Sequence, residues 1–156
     1  MKRTVPAALL AAAVASAAPA QQAPTPYGPP VALEQARQIV ARARKAAGER
    51  HFNMAFAVVE PSGALVLFEK MDGTQYGSVV VAQEKARTAA MFKRPSKAFS
   101  DGVAAGRTAI LSLPGVVAIE GGVPIVLEGR IVGALGVSGG TSEQDGEVAA
   151  AALAGN

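Results

Sequence analysis

Gly121–Ser138 reads GGVPIVLEGRIVGALGVS, and this stretch decides the fold. Val123–Leu127 and Ile131–Val137 are apolar runs of strand length. Glu128-Gly129 between them is a two-residue pair suited to closing a hairpin. Pro124 lacks an amide donor, which places it at a strand start or a sheet edge. Ile131–Val137 is apolar at every position and predicts a central strand covered on both faces. Just upstream, Val116–Ile119 reads as another strand. Further out, Met54–Val59 and Ala64–Met71 flank the turn Pro61-Ser62-Gly63 and form a second hairpin. Short loops between these five strands predict an antiparallel sheet.

Helices complete the pattern. Leu33, Ala36, Val40, Ala43 and Ala47 recur at steps of three and four, so an amphipathic helix runs to about Gly48. A second helix spans Ser78–Phe92 with Val79, Ala82, Ala86 and Ala89 as its core stripe. Lys93–Gly106 is basic and irregular, with room for a short helix. The last helix covers Ser142–Leu153, with Thr141 or Ser142 as N-cap and Glu143, Asp145 and Glu147 in its first turns. The order α-β-β-α-(α)-β-β-β-α is a mixed α/β (α+β) fold. There is no internal repeat, phosphate loop or dinucleotide fingerprint.

The N-terminus reads as a processed segment. Lys2 and Arg3 precede an alanine-rich apolar run from Val5 to Ala18, and Ala18-Pro19-Ala20 is a small-residue cleavage site. This is the pattern of a secretory signal over residues 1–20, and the run falls short of the roughly 20 residues of a membrane span. Residues 21–31 are a Pro-rich extended tether, and 32–156 form the domain. Cleavage after Ala20 removes Lys2 and Arg3 from 15 basic residues and none of the 12 acidic ones, taking the net charge from +3 to +1. So small a charge argues against nucleic acid as a partner. The absence of cysteine excludes disulfides, thiolate metal sites and a Cys nucleophile, and the lone His51 excludes any site needing two imidazoles.

Several residues could carry chemistry. Gly136-Val137-Ser138-Gly139-Gly140 matches G-x-S-x-G, but the one histidine precedes the serine, the reverse of the order a nucleophile elbow needs. Val81, Lys85, Thr88 and Phe92 share one face of the second helix. Lys85 and Thr88 there could line a pocket for a carboxylate, or Lys85 could be a solvated side chain on the helix shoulder. Lys85, Arg87, Lys93, Arg94 and Lys97 form a basic run suited to an anionic ligand, an oligomer contact or simple solvation. His51 falls between the first helix and first strand, as a turn residue or a ligand. Met54, Met71, Met91 and Tyr76 are further side chains able to contact iron. Gly121-Gly122 permits close approach of a backbone or a flat ligand, or is a plain loop.

Taken in order, Met71-Asp72-Gly73, Lys85-Ala86-x-Thr88-Ala89, Pro114-Gly115, Gly121-Gly122-x-Pro124-Ile125, Gly129 with Ile131-Val132-Gly133-Ala134, Gly136-Val137-Ser138-Gly139-Gly140 and Gln144-Asp145 resemble the GlcG/HbpS-like family, the haem-degrading domain family that includes the C-terminal domain of PduO-type proteins. The resemblance runs from about Leu33 to Leu153. It implies a profilin-like or PAS-like five-stranded antiparallel sheet flanked by helices, homo-oligomers from dimer to octamer, and a periplasmic or secreted location. Glu60 stands where the family commonly has Asp, and Lys70 where Arg usually precedes Met-Asp-Gly. The second change loses a planar carboxylate-clamping fork.

Three functions follow as expectations. The first is an exported haem- or tetrapyrrole-binding protein, with haem as cofactor held by Lys85, Thr88, Arg87, His51 and Met71, and with oxidant-driven haem breakdown or redox sensing. The second is a small-carboxylate binding module or cofactor-free enzyme, its pocket lined by Asp72, Gly121, Gly122, Ser138, Gly139 and Asp145, with Asp72 or Asp145 as base. The third is an oligomeric accessory protein without a ligand.

Overall fold

The structure is a computed structural model that describes residues 24–154. The expected signal segment lies outside the described residues. Four strands, β1 (Ala55–Val59), β2 (Leu65–Lys70), β3 (Gly122–Leu127) and β4 (Arg130–Ser138), form one antiparallel sheet in the order β2-β1-β4-β3. β4 is central and buried from Ile131 to Ser138, and Pro124 sits on the edge strand β3. Glu128 and Gly129 take positive φ values of 49° and 72°, the backbone a two-residue hairpin between twisted strands requires.

The sheet has four strands, not five. Val116–Ile119 is irregular because side chains satisfy its backbone in place of a ladder. The Val117 amide donates to Thr88 Oγ1 at 2.9 Å, and Ser96 Oγ donates to the Ile119 carbonyl at 2.6 Å. Thr88→Val is therefore expected to cost about 1–3 kcal/mol by leaving the Val117 amide unpaired. Faster amide exchange confined to residues 115–120 would report it.

Helices cover both faces unequally. α1 (Leu33–Glu49) and α4 (Ser142–Leu153) lie on one face. There they bury Phe56, Val58, Ile125, Leu135 and Val137 with Ile39, Val40 and Val148. α2 (Ser78–Phe92) lies on the other, where Ala82, Ala86, Ala89 and Ala90 meet Ala55, Ala57, Val59 and Ala134. Strand alternation thus sends large side chains to one face and small ones to the other. The small face lets α2 sit close. A Cβ on Gly136 would lie 2.0 Å from the Ala82 carbonyl oxygen, and one on Gly122 2.1 Å from that of Lys85.

α3 (Lys97–Ala104) and a 3-10 turn (Thr108–Ser112) fill the segment between α2 and β3. Thr141 caps α4 reciprocally with Gln144, its Oγ1 accepting from the Gln144 amide while its own amide donates to the Gln144 side chain. The Pro-rich segment is extended and docked. Ile131 donates to the Pro26 carbonyl and accepts from Gly28, and Val31 donates to Val132. It continues the edge of β4 beyond the end of β1, and the Tyr27 hydroxyl donates to the Ala90 and Met91 carbonyls at the end of α2.

Candidate functional site

The expected site residues divide among three places. Lys85 and Thr88 face the protein interior. Lys85 is 1% exposed, and its Nζ donates to Asp145 Oδ2 at 2.6 Å and to the Val137 carbonyl at 3.2 Å. Asp145 Oδ1 accepts from the Gly140 amide at 3.0 Å. Burial pushes the Asp145 carboxyl above its ordinary value, and the Lys85 ammonium pulls against that rise. Gly121 and Gly122 make room for this pair: a Cβ on Gly121 would stand 2.9 Å from Lys85 Nζ. Lys85 and Asp145 thus join α2 to α4 through the sheet, and a ligand taking Lys85 would have to displace Asp145. Thr88 serves the 115–117 segment.

Ser138 is buried, and its hydroxyl donates to Ser78 Oγ at 3.1 Å at the start of α2. Its strand belongs to an antiparallel sheet. Gly139 follows it, packed on the Asn53 carbonyl and Met54.

Arg87 stands at the far end of the β1–β2 hairpin, its Nε donating to the Gly63 carbonyl at 3.2 Å and its guanidinium paired with Glu84. His51, Met71 and Asp72 stand at the opposite end. The five residues of β1 lie between, about 16 Å at roughly 3.3 Å per residue, so Arg87 and His51 do not share a site.

At the His51 end, the chain leaves α1 through a reversal. The His51 amide donates to Gly48 and the Phe52 amide to Ala47, with His51 at φ +59°. This is a Schellman ending, and its left-handed position normally falls to glycine. It holds the imidazole exposed outside the core. His51→Gly is expected to stabilise the fold by up to about 1 kcal/mol, read as a raised urea midpoint, while removing the imidazole. Two residues further on, Asn53 joins Arg44, Glu69, Lys70, Met71 and Asp72 around an open depression of about 410 Å³. Met71 is half-buried against the core, and its amide donates to the Met54 carbonyl at 3.0 Å. Arg44 reaches Glu69 across the depression at 3.5 Å. Arg44 and Asn53 are residues that sequence reasoning missed: one is an ordinary polar position on α1, the other an isolated residue after a helix end. Among the described residues, no group of three His, Asp or Glu side chains could hold a bare metal ion.

A model of the family described as "Haem degrading protein HbpS-like" matches residues 31–154. The chain belongs to the HbpS-like family. It is 40% identical over 105 residues to Protein GlcG of Escherichia coli (strain K12), covering 67% of this chain and 78% of that protein. Among solved structures, HbpS superposes with a TM-score of 0.75 at 26% identity, over 90% of this chain and 97% of that one. A PduOC–haem complex superposes with a TM-score of 0.73 at 26% identity, over 81% and 95%. These HbpS-like relatives share the helix-flanked sheet.

Proposed function

We propose that this protein is an exported haem-binding protein. The observation that carries the reading is the haem complex of PduOC, a structure that matches 81% of this chain. The donor set at the His51 end fits such a ligand. It offers an exposed imidazole, a thioether at Met71, and the cations Arg44 and Lys70 for anionic propionates. Bound haem would supply a redox-active iron and its reactivity toward oxidants. The chain's own part is to hold and orient. The reversal after α1 fixes where His51 presents its ring, and the Met54 carbonyl anchors Met71. Export is supported by Lys2, Arg3, the apolar run to Ala18 and the small residues before Gln21. Among the described residues, no helix is long and apolar enough to cross a membrane.

Titration with hemin tests this. A shifted Soret band that saturates is expected, with His51→Ala altering the band and Arg44→Ala with Lys70→Ala weakening binding about tenfold, the loss of one to two charge-assisted contacts. A Soret band that stays that of free hemin, without saturation, overturns the reading. The polar lining of the depression, where the cations Arg44 and Lys70 and the amide of Asn53 stand with Glu69 and Asp72, supports small carboxylates as the second reading. Thermal stabilisation by hydroxy acids but not by hemin would select it.

A further inference from the structure

Every aspartate of the chain is followed by glycine: Asp72-Gly73, Asp101-Gly102 and Asp145-Gly146. Such a step is chemically labile. The glycine amide nitrogen can attack the side-chain carboxyl carbon of the aspartate, and no Cβ obstructs the approach. The fold treats the three steps differently. Gly102 lies inside α3 and Gly146 inside α4, where the helical ladder engages the amide and the helical ψ turns it away from the preceding side chain. Both carboxylates there are engaged as well. Asp101 accepts from Lys97 Nζ at 2.7 Å, and Asp145 accepts from Lys85 Nζ and the Gly140 amide.

Asp72 and Gly73 are instead exposed, in the turn between β2 and α2, with Gly73 at φ +77°. Among the described residues, neither the Gly73 amide nor the Asp72 carboxylate has a hydrogen-bond partner. We propose that Asp72-Gly73 is a site of spontaneous succinimide formation and conversion to isoaspartate. The Gly73 nitrogen bonds to the Asp72 side-chain carbon, that carbon loses its hydroxyl, the amide loses its proton, and one water leaves. A water then reopens the ring. Opening at the main-chain carbonyl routes the chain through the side chain and gives isoaspartate; opening at the other carbonyl restores aspartate. No electrons are exchanged, and water is the one co-reactant. The product carries one extra methylene in its main chain. The Thr74 amide and hydroxyl both donate to the Met71 carbonyl, at 3.3 and 2.7 Å, and close the turn across Asp72 and Gly73. A longer chain between those anchors disrupts this closure. Met71 and Asp72 line the depression with Asn53, whose side-chain nitrogen lies 3.0 Å from where a Gly73 Cβ would stand. The conversion therefore remodels the depression, whether or not a ligand binds there.

The three aspartates serve as one another's controls. Trypsin places each in its own peptide, by cleavage after Lys70, Lys85, Lys97, Arg107 and Arg130. Purified protein is held warm at neutral pH for several weeks, digested and assayed by isoaspartate-specific methylation of each peptide. The Met71–Lys85 peptide is expected to carry at least about tenfold more isoaspartate than either of the others, the ratio that a helix-opening cost of about 1.4 kcal/mol gives. In urea the three rates are expected to converge, since the local sequence is Asp-Gly in each. Asp72→Glu, which would have to close a larger and slower ring, should remove the signal from its peptide. The isomerised fraction, separated by chromatography, should exchange its Thr74 amide faster than fresh protein. Equal rates in the folded protein overturn the proposal, as does a preference for Asp72 that persists in urea, a signal that survives Asp72→Glu, or unchanged exchange at Thr74.

Discussion

Lys85→Met is expected to destabilise the protein by about 3–5 kcal/mol at neutral pH, because it leaves Asp145 as a buried carboxylate without its countercharge. The size follows from burial: the pair is almost wholly removed from solvent, its ion pair measures 2.6 Å, and removing one partner forfeits the attraction while keeping the desolvation of the other. The pH dependence has a defined sign. Burial holds the folded Asp145 carboxyl above its ordinary value even with the ammonium pulling it down. A carboxyl raised on folding favours the folded state below its unfolded value, and that contribution is lost as pH rises through the folded value. Without Lys85 the opposition disappears and the value climbs further. The deficit of Lys85→Met should therefore be smallest at and below the ordinary aspartate range and grow as pH rises above it. Urea unfolding at several pH values measures this. Lys85→Met combined with Asp145→Asn should recover most of the loss, since the amide oxygen still accepts from Gly140 and no charge remains buried. A pH-independent deficit, or no recovery in the double variant, would show that Lys85 acts through packing alone.

Gly136→Val is the second large effect, expected to exceed about 3 kcal/mol and to prevent folding at 37 °C, because overpacking that costs 1–3 kcal/mol elsewhere meets backbone here. The Cβ would fall 2.0 Å from the Ala82 carbonyl oxygen and 2.7 Å from the Ala86 amide nitrogen. Neither atom can swing aside as a side-chain tip could, so α2 must lift off the sheet or β4 must bend. Gly122→Ala meets the Lys85 carbonyl at 2.1 Å and should behave alike. Gly48→Ala is the contrast. It lies inside α1 with nothing within 4 Å of its Cβ position, and it should gain about 0.5–1 kcal/mol by restricting the unfolded chain. Thermal melts of the three variants separate glycines that serve close approach from one that does not.

These two sites also mark how far the sequence could be read. The bounds of α2 are legible because Ala82, Ala86 and Ala89 keep the helical period, and the β3–β4 hairpin because Glu128-Gly129 fits only a tight reversal. Val116–Ile119 reads as a strand because its composition is that of one; nothing local announces that Thr88 and Ser96 will take its backbone bonds. Spacing places Lys85 and Thr88 on one face of α2 but cannot tell which way that face turns. The partner of Lys85 is sixty residues away and arrives only through the sheet. The family is legible from ordered motifs, many of which prove to be packing devices: Gly121-Gly122 makes room for the ion pair, and Gly136 makes room for α2. His51 at a left-handed position is hidden for the opposite reason, since glycine is the residue that would have advertised it.

The docked segment from Pro26 to Val31 bears on the order in which the molecule comes together. Its backbone partners Ile131 and Val132 are made roughly a hundred residues later, so its main-chain hydrogen bonds must wait for the central strand. Proline at positions 26, 29 and 30 keeps it from forming a helix or pairing as a hairpin in the meantime. Tyr27 is the clasp of the finished molecule, its hydroxyl on the end of α2 and its backbone beside β4.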